Sequence, residues 1–191
     1  GNAGNELFRI GSNGAVVNLG AMTLSTGVSF PNVNVAGGAF SPTGEYYISS
    51  RITNTLYRVN LVTRVATPVL TRAAPGIIVD FAFVGNYIYA PLNMTQLVRI
   101  DPVAGSLTVV GAAGSTGGGA PSVWGSSNEG LFSLGGGALY QWNIATGTRI
   151  LLGQGPLTDD ADGASCPTAE NRFNADLSVT KTNTPAQGPN D

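Results

Sequence analysis

Apolar and polar residues alternate with a period of two along most of this chain, in short runs broken by Gly, Asn, Asp and Pro. That pattern predicts β-strands joined by tight turns. Four segments share one arrangement: Leu7-Phe8-Arg9-Ile10, Leu56-Tyr57-Arg58-Val59, Leu97-Val98-Arg99-Ile100 and Leu139-Tyr140-Gln141-Trp142. In the last three, Asn60, Asp101 or Asn143 follows at once, then a turn, then a second apolar run. Each copy reads as a β-hairpin, with Leu and Arg on one face and the intervening residues on the other. The Asn or Asp is suited to capping its own turn through a side-chain oxygen.

A second kind of hairpin lies between these. Ala39-Phe40-Ser41 turns into Tyr46-Tyr47-Ile48, Phe81-Ala82-Phe83 into Tyr87-Ile88-Tyr89, and Val123-Trp124 into Leu131-Phe132-Ser133. Two hairpins per repeat give four strands in roughly 40 to 45 residues, the arithmetic of a propeller blade. The expected fold is therefore all-β, a small β-propeller of about four four-stranded antiparallel blades with an extended C-terminal strand. Complete blades are expected at about 37–70, 78–111 and 120–153, with a partial blade at 5–20. Residues 1–174 would form the propeller-like domain and 175–191 an extended strand or linker. The partial blade could be completed by the stretch around Asp162 to Cys166, or could leave strand edges open to another chain.

Composition narrows the chemistry. The chain of 191 residues has no His, one Cys and 10% charged residues, against roughly 25% in average soluble proteins. Zinc sites built on His or paired Cys, Ser-His-Asp triads and Cys-His pairs are excluded within it. A net charge of −2 gives no basic footprint for nucleic acid. No apolar run reaches the ~18 residues of a transmembrane helix. Abundant Gly, Ser, Thr and Asn suit a secreted bacterial surface protein, and an opening without initiator Met fits a leader removed by processing. An extracellular, cell-surface location is expected.

The alternation of the two hairpin types resembles a propeller-type domain of unknown function from secreted bacterial surface proteins. Asp162-Gly163-Ala164-Ser165-Cys166-Pro167 is similar to the DGA-x-C-P stretch that ends that domain. Ala175-Asp176-Leu177-Ser178-Val179-Thr180-Lys181-Thr182 resembles the opening strand of an immunoglobulin-like bacterial surface repeat, domain of unknown function eleven. The resemblance brings no catalytic residues. Either the sequence is a fragment of a longer chain, or the sandwich is not part of this protein; in the second case a lone strand needs a sheet to join, and Leu177, Val179 and Lys181 alternate as a strand-addition segment does. A head-to-tail contact of that kind would make a homo-oligomer or polymer.

Several candidate sites each have a plainer reading beside them. Asp159, Asp160 and Asp162 form the main acidic concentration, and oxygen-rich loops of this sort hold Ca²⁺. The EF-hand pattern fails, because Thr158 and Ala169 stand where its first Asp and last Glu belong, so a solvated loop is the favoured reading. Glu45, Asp80, Asp101 and Glu129 are the acids available for glycoside hydrolysis; Asp101 reads as a turn cap, and Asp80 is the least explained. Tyr46, Tyr47, Tyr87, Tyr89, Trp124 and Trp142 suit either packing between blades or stacking on sugars. Arg9, Arg58 and Arg99 read as a structural ladder, and Cys166 as a small buried residue. The leading expectation is a non-catalytic extracellular structural or interaction protein, a self-assembling filament or adhesin subunit. A glycan-binding module is the first alternative and a glycoside hydrolase-like enzyme the second.

Overall fold

The computed structural model describes residues 5–31, 35–72, 78–92, 96–112, 122–127, 130–155, 163–166 and 168–169. Among these the structure is entirely strand, turn and loop. A two-stranded antiparallel sheet comes first, from β1 (Glu6–Ile10) and β2 (Val16–Ala21). The short β3 (Thr23–Leu24) then leads into a sheet of β4 (Val35–Phe40), β5 (Tyr46–Ser50), β6 (Thr55–Asn60) and β7 (Val65–Thr71). β3 adds to its outer edge, parallel to β7. The next sheet holds β8 (Ala82–Val84), β9 (Tyr87–Leu92), β10 (Gln96–Asp101) and β11 (Ser106–Val110). The last holds β12 (Ser122–Gly125), β13 (Leu131–Gly135), β14 (Ala138–Trp142) and β15 (Arg149–Gln154). The three larger sheets are blades 1, 2 and 3, each a meander of four antiparallel strands in chain order.

Local chemistry explains the hairpins. In all three blades an Asn or Asp at the end of the third strand or just after it caps the turn that follows. Asn60 Oδ1 accepts from Val62 and Thr63 N–H, Asp101 Oδ1 from Val103 and Ala104, and Asn143 Oδ1 from Ala145 and Thr146, at 2.9–3.1 Å. One geometry thus serves three positions, and the charge on Asp101 is incidental to it. Each turn ends in a left-handed residue: Arg64 (φ 60), Gly105 (φ 62) or Gly147 (φ 71). The left-handed region costs a side chain roughly 1–2 kcal/mol, so glycine is the usual occupant.

The core is three slabs between sheets rather than one central mass. Leu7, Met22, Phe30, Tyr57 and Val59 join the half-blade to blade 1. Tyr47, Leu56, Phe83, Val98 and Ile100 join blades 1 and 2, with the Tyr47 and Phe83 rings 5.2 Å apart. Tyr89, Leu97, Val123, Leu131 and Trp142 join blades 2 and 3. Trp142 donates its indole N–H to Ser133 Oγ at 2.9 Å, so its polar end is satisfied in the slab.

Alongside the slabs runs a close backbone contact. A Cβ placed on Gly105 would lie 2.7 Å from the Val69 carbonyl oxygen of blade 1, and one on Gly147 would strike the Val110 carbonyl of blade 2. The turn of one blade therefore sits on the outermost strand of the blade before it. At the first interface the roles reverse: Arg64 lies over Gly20, with its Nε 3.5 Å from where a Cβ would stand.

The described residues of the stretch expected to complete the half-blade, 163–166, lie against blade 3. Ser165 Oγ donates to the Gly125 carbonyl at 2.6 Å, and Ser127 N–H donates to the Ala169 carbonyl at 3.0 Å. A Cβ on Gly163 would fall 2.6 Å from the Val123 carbonyl oxygen. The described part of this stretch is thus a brace along β12 of blade 3, and glycine is required where it crosses. β1 pairs with β2 alone among the described strands.

Two substitutions separate backbone strain from collision. Gly14→Ala and Gly147→Ala share the left-handed penalty, but a Cβ at Gly14 meets open space. Urea unfolding should show Gly14→Ala losing about 1–2 kcal/mol and Gly147→Ala distinctly more. Equal losses would contradict the turn-on-strand contact.

Candidate functional site

β8 lies beside both β4 and β12, so the three inner strands converge where a propeller keeps its axis. Small residues make this approach feasible. A Cβ on Gly125 would strike the Phe83 carbonyl oxygen, and one on Gly37 would stand 3.0 Å from both the Asp80 Cα and the Val79 carbonyl oxygen.

Asp80 is the polar centre of this region and is 1% exposed. Its Oδ1 accepts from Phe81 N–H at 2.8 Å, and its Oδ2 accepts a short hydrogen bond from Val123 N–H of blade 3. One carboxylate therefore ties the start of blade 2 to the inner strand of the next blade. Gly37, which faces it from blade 1, leaves the room it needs.

A cavity of about 160 Å³ opens beside this staple. Phe40, Tyr46, Phe83 and Trp124 line it, with Ala164 and Ser165 of the brace. Phe40 is 45% exposed, Tyr46 and Trp124 are half-buried, and the Phe40 and Tyr46 rings lie 4.8 Å apart. Ligand pockets typically hold roughly 300–1,000 Å³, so this one has room for a fragment of a ligand or the edge of a ring. A larger open groove of about 730 Å³ runs beside the lower turns of blade 1, past Glu45, Arg58, Asn60 and Thr63. Its two charged side chains pair at 3.1 Å in solvent.

The acids considered for hydrolysis are therefore dispersed. Glu45 pairs with Arg58 on the exterior, Asp80 holds blades together, and Asp101 caps a turn; Glu129 lies outside the described residues. The aromatic residues divide by function. Tyr47, Tyr89 and Trp142 are buried between blades, Tyr46 and Trp124 border the axis cavity, and the Tyr87 ring lies 4.8 Å from the Arg99 guanidinium. Arg58 and Arg99 each engage a side chain of their own blade.

Cys166 is exposed, contrary to the expectation of a buried thiol. Its backbone carbonyl accepts from Ala169 N–H in a tight turn, which holds the residue at the surface. The hydrogen bond with Thr168 Oγ1, at 3.2 Å, pulls its pKa below the ordinary thiol value. Burial, and then the neighbouring Glu45, push the Tyr47 phenol above its usual pKa. Burial lowers the pKa of Arg149, whose guanidinium lies 3.8 Å from the Tyr140 ring centre. The proposed calcium ligands Asp159, Asp160 and Asp162 lie outside the described residues, as do Leu177, Val179 and Lys181. Among the described residues no cluster of three metal-ligating side chains forms. Sequence reasoning missed the axis cavity, whose walls come from all three blades.

Comparison with known proteins fits this geometry. The profile of a family described as a repeat of unknown function (DUF6923) matches residues 1–168. No curated protein gives a significant match. Among solved structures, the chain is similar to virginiamycin B lyase from Staphylococcus aureus, with a TM-score of 0.57 and 16% identity over 86% of this chain and 55% of that one. A catalytically inactive form of that enzyme with quinupristin gives 0.57 and 14% identity, over 83% and 51%. A chain of the mitotic checkpoint complex gives 0.52 and 11% identity, over 76% and 43%. At these identities the likeness concerns the fold, a β-propeller. The chain spans about half the length of the lyase structures it matches.

Two outcomes follow from the site. Asp80→Ala strips the acceptor from two backbone N–H groups in a buried setting and should cost roughly 2–5 kcal/mol. Asp101→Ala, at an exposed cap, should cost about 0.5–1.5 kcal/mol. Chemical denaturation of both variants would show equal losses if the staple were unimportant. Cys166 should react with iodoacetamide in the folded protein, and Thr168→Val should move the pH–rate curve to higher pH. A curve that stays in place would remove the role given to Thr168.

Proposed function

The chain belongs to the family of this repeat of unknown function, and on that premise we propose that it is a non-catalytic structural and interaction module of a bacterial cell surface. It would be secreted and would associate with further copies of itself, as a filament or adhesin subunit does. The observation that carries this reading is that Glu45, Asp80 and Asp101 are each engaged in a structural contact of the fold. β1 occupies the place that β6, β10 and β14 hold in their blades, yet no described strand pairs with its inner edge. An unpaired edge of this kind accepts an extended segment through backbone hydrogen bonds.

The proposed donor is 175–182, the segment that resembles the opening strand of an immunoglobulin-like repeat. The dispersal of Glu45, Asp80 and Asp101 into structural contacts supports a role without catalysis.

A second reading, glycan binding, is favoured by one observation. Phe40, Tyr46 and Trp124 share a cavity in which part of a sugar ring could stack on an aromatic face.

Sedimentation velocity and electron microscopy test the first reading on the full chain. Wild type should associate with rising concentration, and a Leu177→Asp, Val179→Asp variant should lose that association. Wild type that stays monomeric, or a variant that associates equally well, would sink the strand-addition reading. The second reading expects binding on a glycan array that Trp124→Ala abolishes.

A further inference from the structure

We infer that the open groove at the lower turns of blade 1 binds a neutral glycan, with two neighbouring sugar hydroxyls held between the Glu45 carboxylate and the Arg58 guanidinium. The inference goes beyond the readings above: it needs neither 175–182 nor the axis cavity, and it involves no catalysis.

The groove lies on the side of blade 1 that faces blade 2. Tyr47 packs in the slab between these two blades, and residues opposite one another in a sheet share a face. Arg58 stands opposite Tyr47, and Thr67 opposite Arg58, so both belong to that face. Asn60 and Val65, opposite each other two residues along, share it as well. The turn of blade 2 seats on Val69, beyond Thr67. The strip from Asn60 and Val65 to Arg58 and Thr67 therefore stays open although the neighbouring blade is in place. Its volume of about 730 Å³ falls within the roughly 300–1,000 Å³ of ligand sites.

The side chains that line the groove select the chemistry. Glu45 is pinned through its backbone: its N–H donates to Ser41 Oγ at 3.0 Å and its carbonyl accepts from Ser41 N–H at 2.8 Å. Its carboxylate accepts from Arg58 Nη1 at 3.1 Å and from the Tyr47 hydroxyl at 3.3 Å. Burial keeps the Tyr47 phenol protonated, and so a donor. Glu45 and Arg58 are each about half exposed, which leaves both with hydrogen-bonding surface for a ligand. An anion meets the repulsion of Glu45 and a cation that of Arg58. A vicinal diol meets neither: one hydroxyl donates to the carboxylate while its neighbour accepts from the guanidinium. The oxygen of Asn60 is committed to its cap, which leaves its NH₂ group for a ligand, and Thr63 and Thr67 add hydroxyls. An extended peptide is a poorer fit. β3 already pairs with β7 at Val65 and Ala66, so the strand edge beside the groove is taken and strand addition is closed there. Arg99, opposite Tyr89 in blade 2 as Arg58 is opposite Tyr47, lies over the Tyr87 ring instead, so the pair with Glu45 is particular to blade 1.

An array printed with neutral glycans, uronate-bearing glycans and peptides, probed with the full chain, tests this. Wild type should bind neutral glycans. Arg58→Gln should weaken that binding about 10- to 100-fold, the worth of a charged hydrogen bond, with circular dichroism showing the fold retained. Glu45→Gln keeps the shape and removes the negative charge, so it should gain binding to uronate-bearing glycans, a change that loss of folding does not produce. The inference is overturned by wild type that binds no neutral glycan, by Arg58→Gln binding like wild type, or by Glu45→Gln gaining no uronate binding. Wild-type binding confined to peptides overturns it as well. Neutral-glycan binding that Trp124→Ala abolishes and Arg58→Gln leaves intact belongs to the axis cavity and removes the groove from the account.

Discussion

A sheet with apolar residues on both sides cannot leave water by itself, and that constraint governs this molecule. Blade 2 is the fullest case: Val98 and Ile100 need blade 1, while Leu97 and Tyr89 need blade 3. Burying each such side chain contributes roughly 1.5–3 kcal/mol, and no single blade can collect that on both faces. Stability is therefore shared between neighbours, as in other repeat architectures. The same constraint explains the glycine content. Sheets close enough to exclude water bring backbones within van der Waals reach at Gly105, Gly147, Gly125 and Gly37, where a side chain has no room.

The parts of this arrangement that were legible in the sequence are those whose causes are local. Asn60, Asp101 and Asn143 cap turns two and three residues ahead, so their spacing announces the turn. The alternation in Leu56-Tyr57-Arg58-Val59 sets the two faces of a strand before any partner is known. What stayed hidden depends on pairs far apart in the chain. Asp80 bonds to a residue 43 positions away, and neither Gly37 nor Ser122, which the register places at the same position in the other blades, repeats it. The axis cavity combines Phe40, Phe83, Trp124 and Ser165 from separate repeats, which no periodicity reveals. Cys166 is exposed in a turn that Ala169 N–H closes on its carbonyl, a placement that residue type does not signal.

Function follows the same division. Side chains that might have served chemistry are engaged in holding sheets, turns and strands: Asp80 between blades, Asp101 in its cap, Glu45 with Arg58. Among the described residues β1, by contrast, pairs on one edge alone. An interaction module, as proposed, makes use of what the fold leaves unsatisfied.

The central claim is that each sheet is held by what its neighbours cover, and hydrogen–deuterium exchange on dilute, monomeric protein tests it most directly. Amides of β9 and β10, in a blade covered on both faces, should exchange slowest, at rates approaching global unfolding. Those of β1, β2 and β15, each on a sheet with one open face, should exchange first, with blade 1 in between. Uniform protection across all the sheets, or a half-blade as protected as β9, would contradict the account.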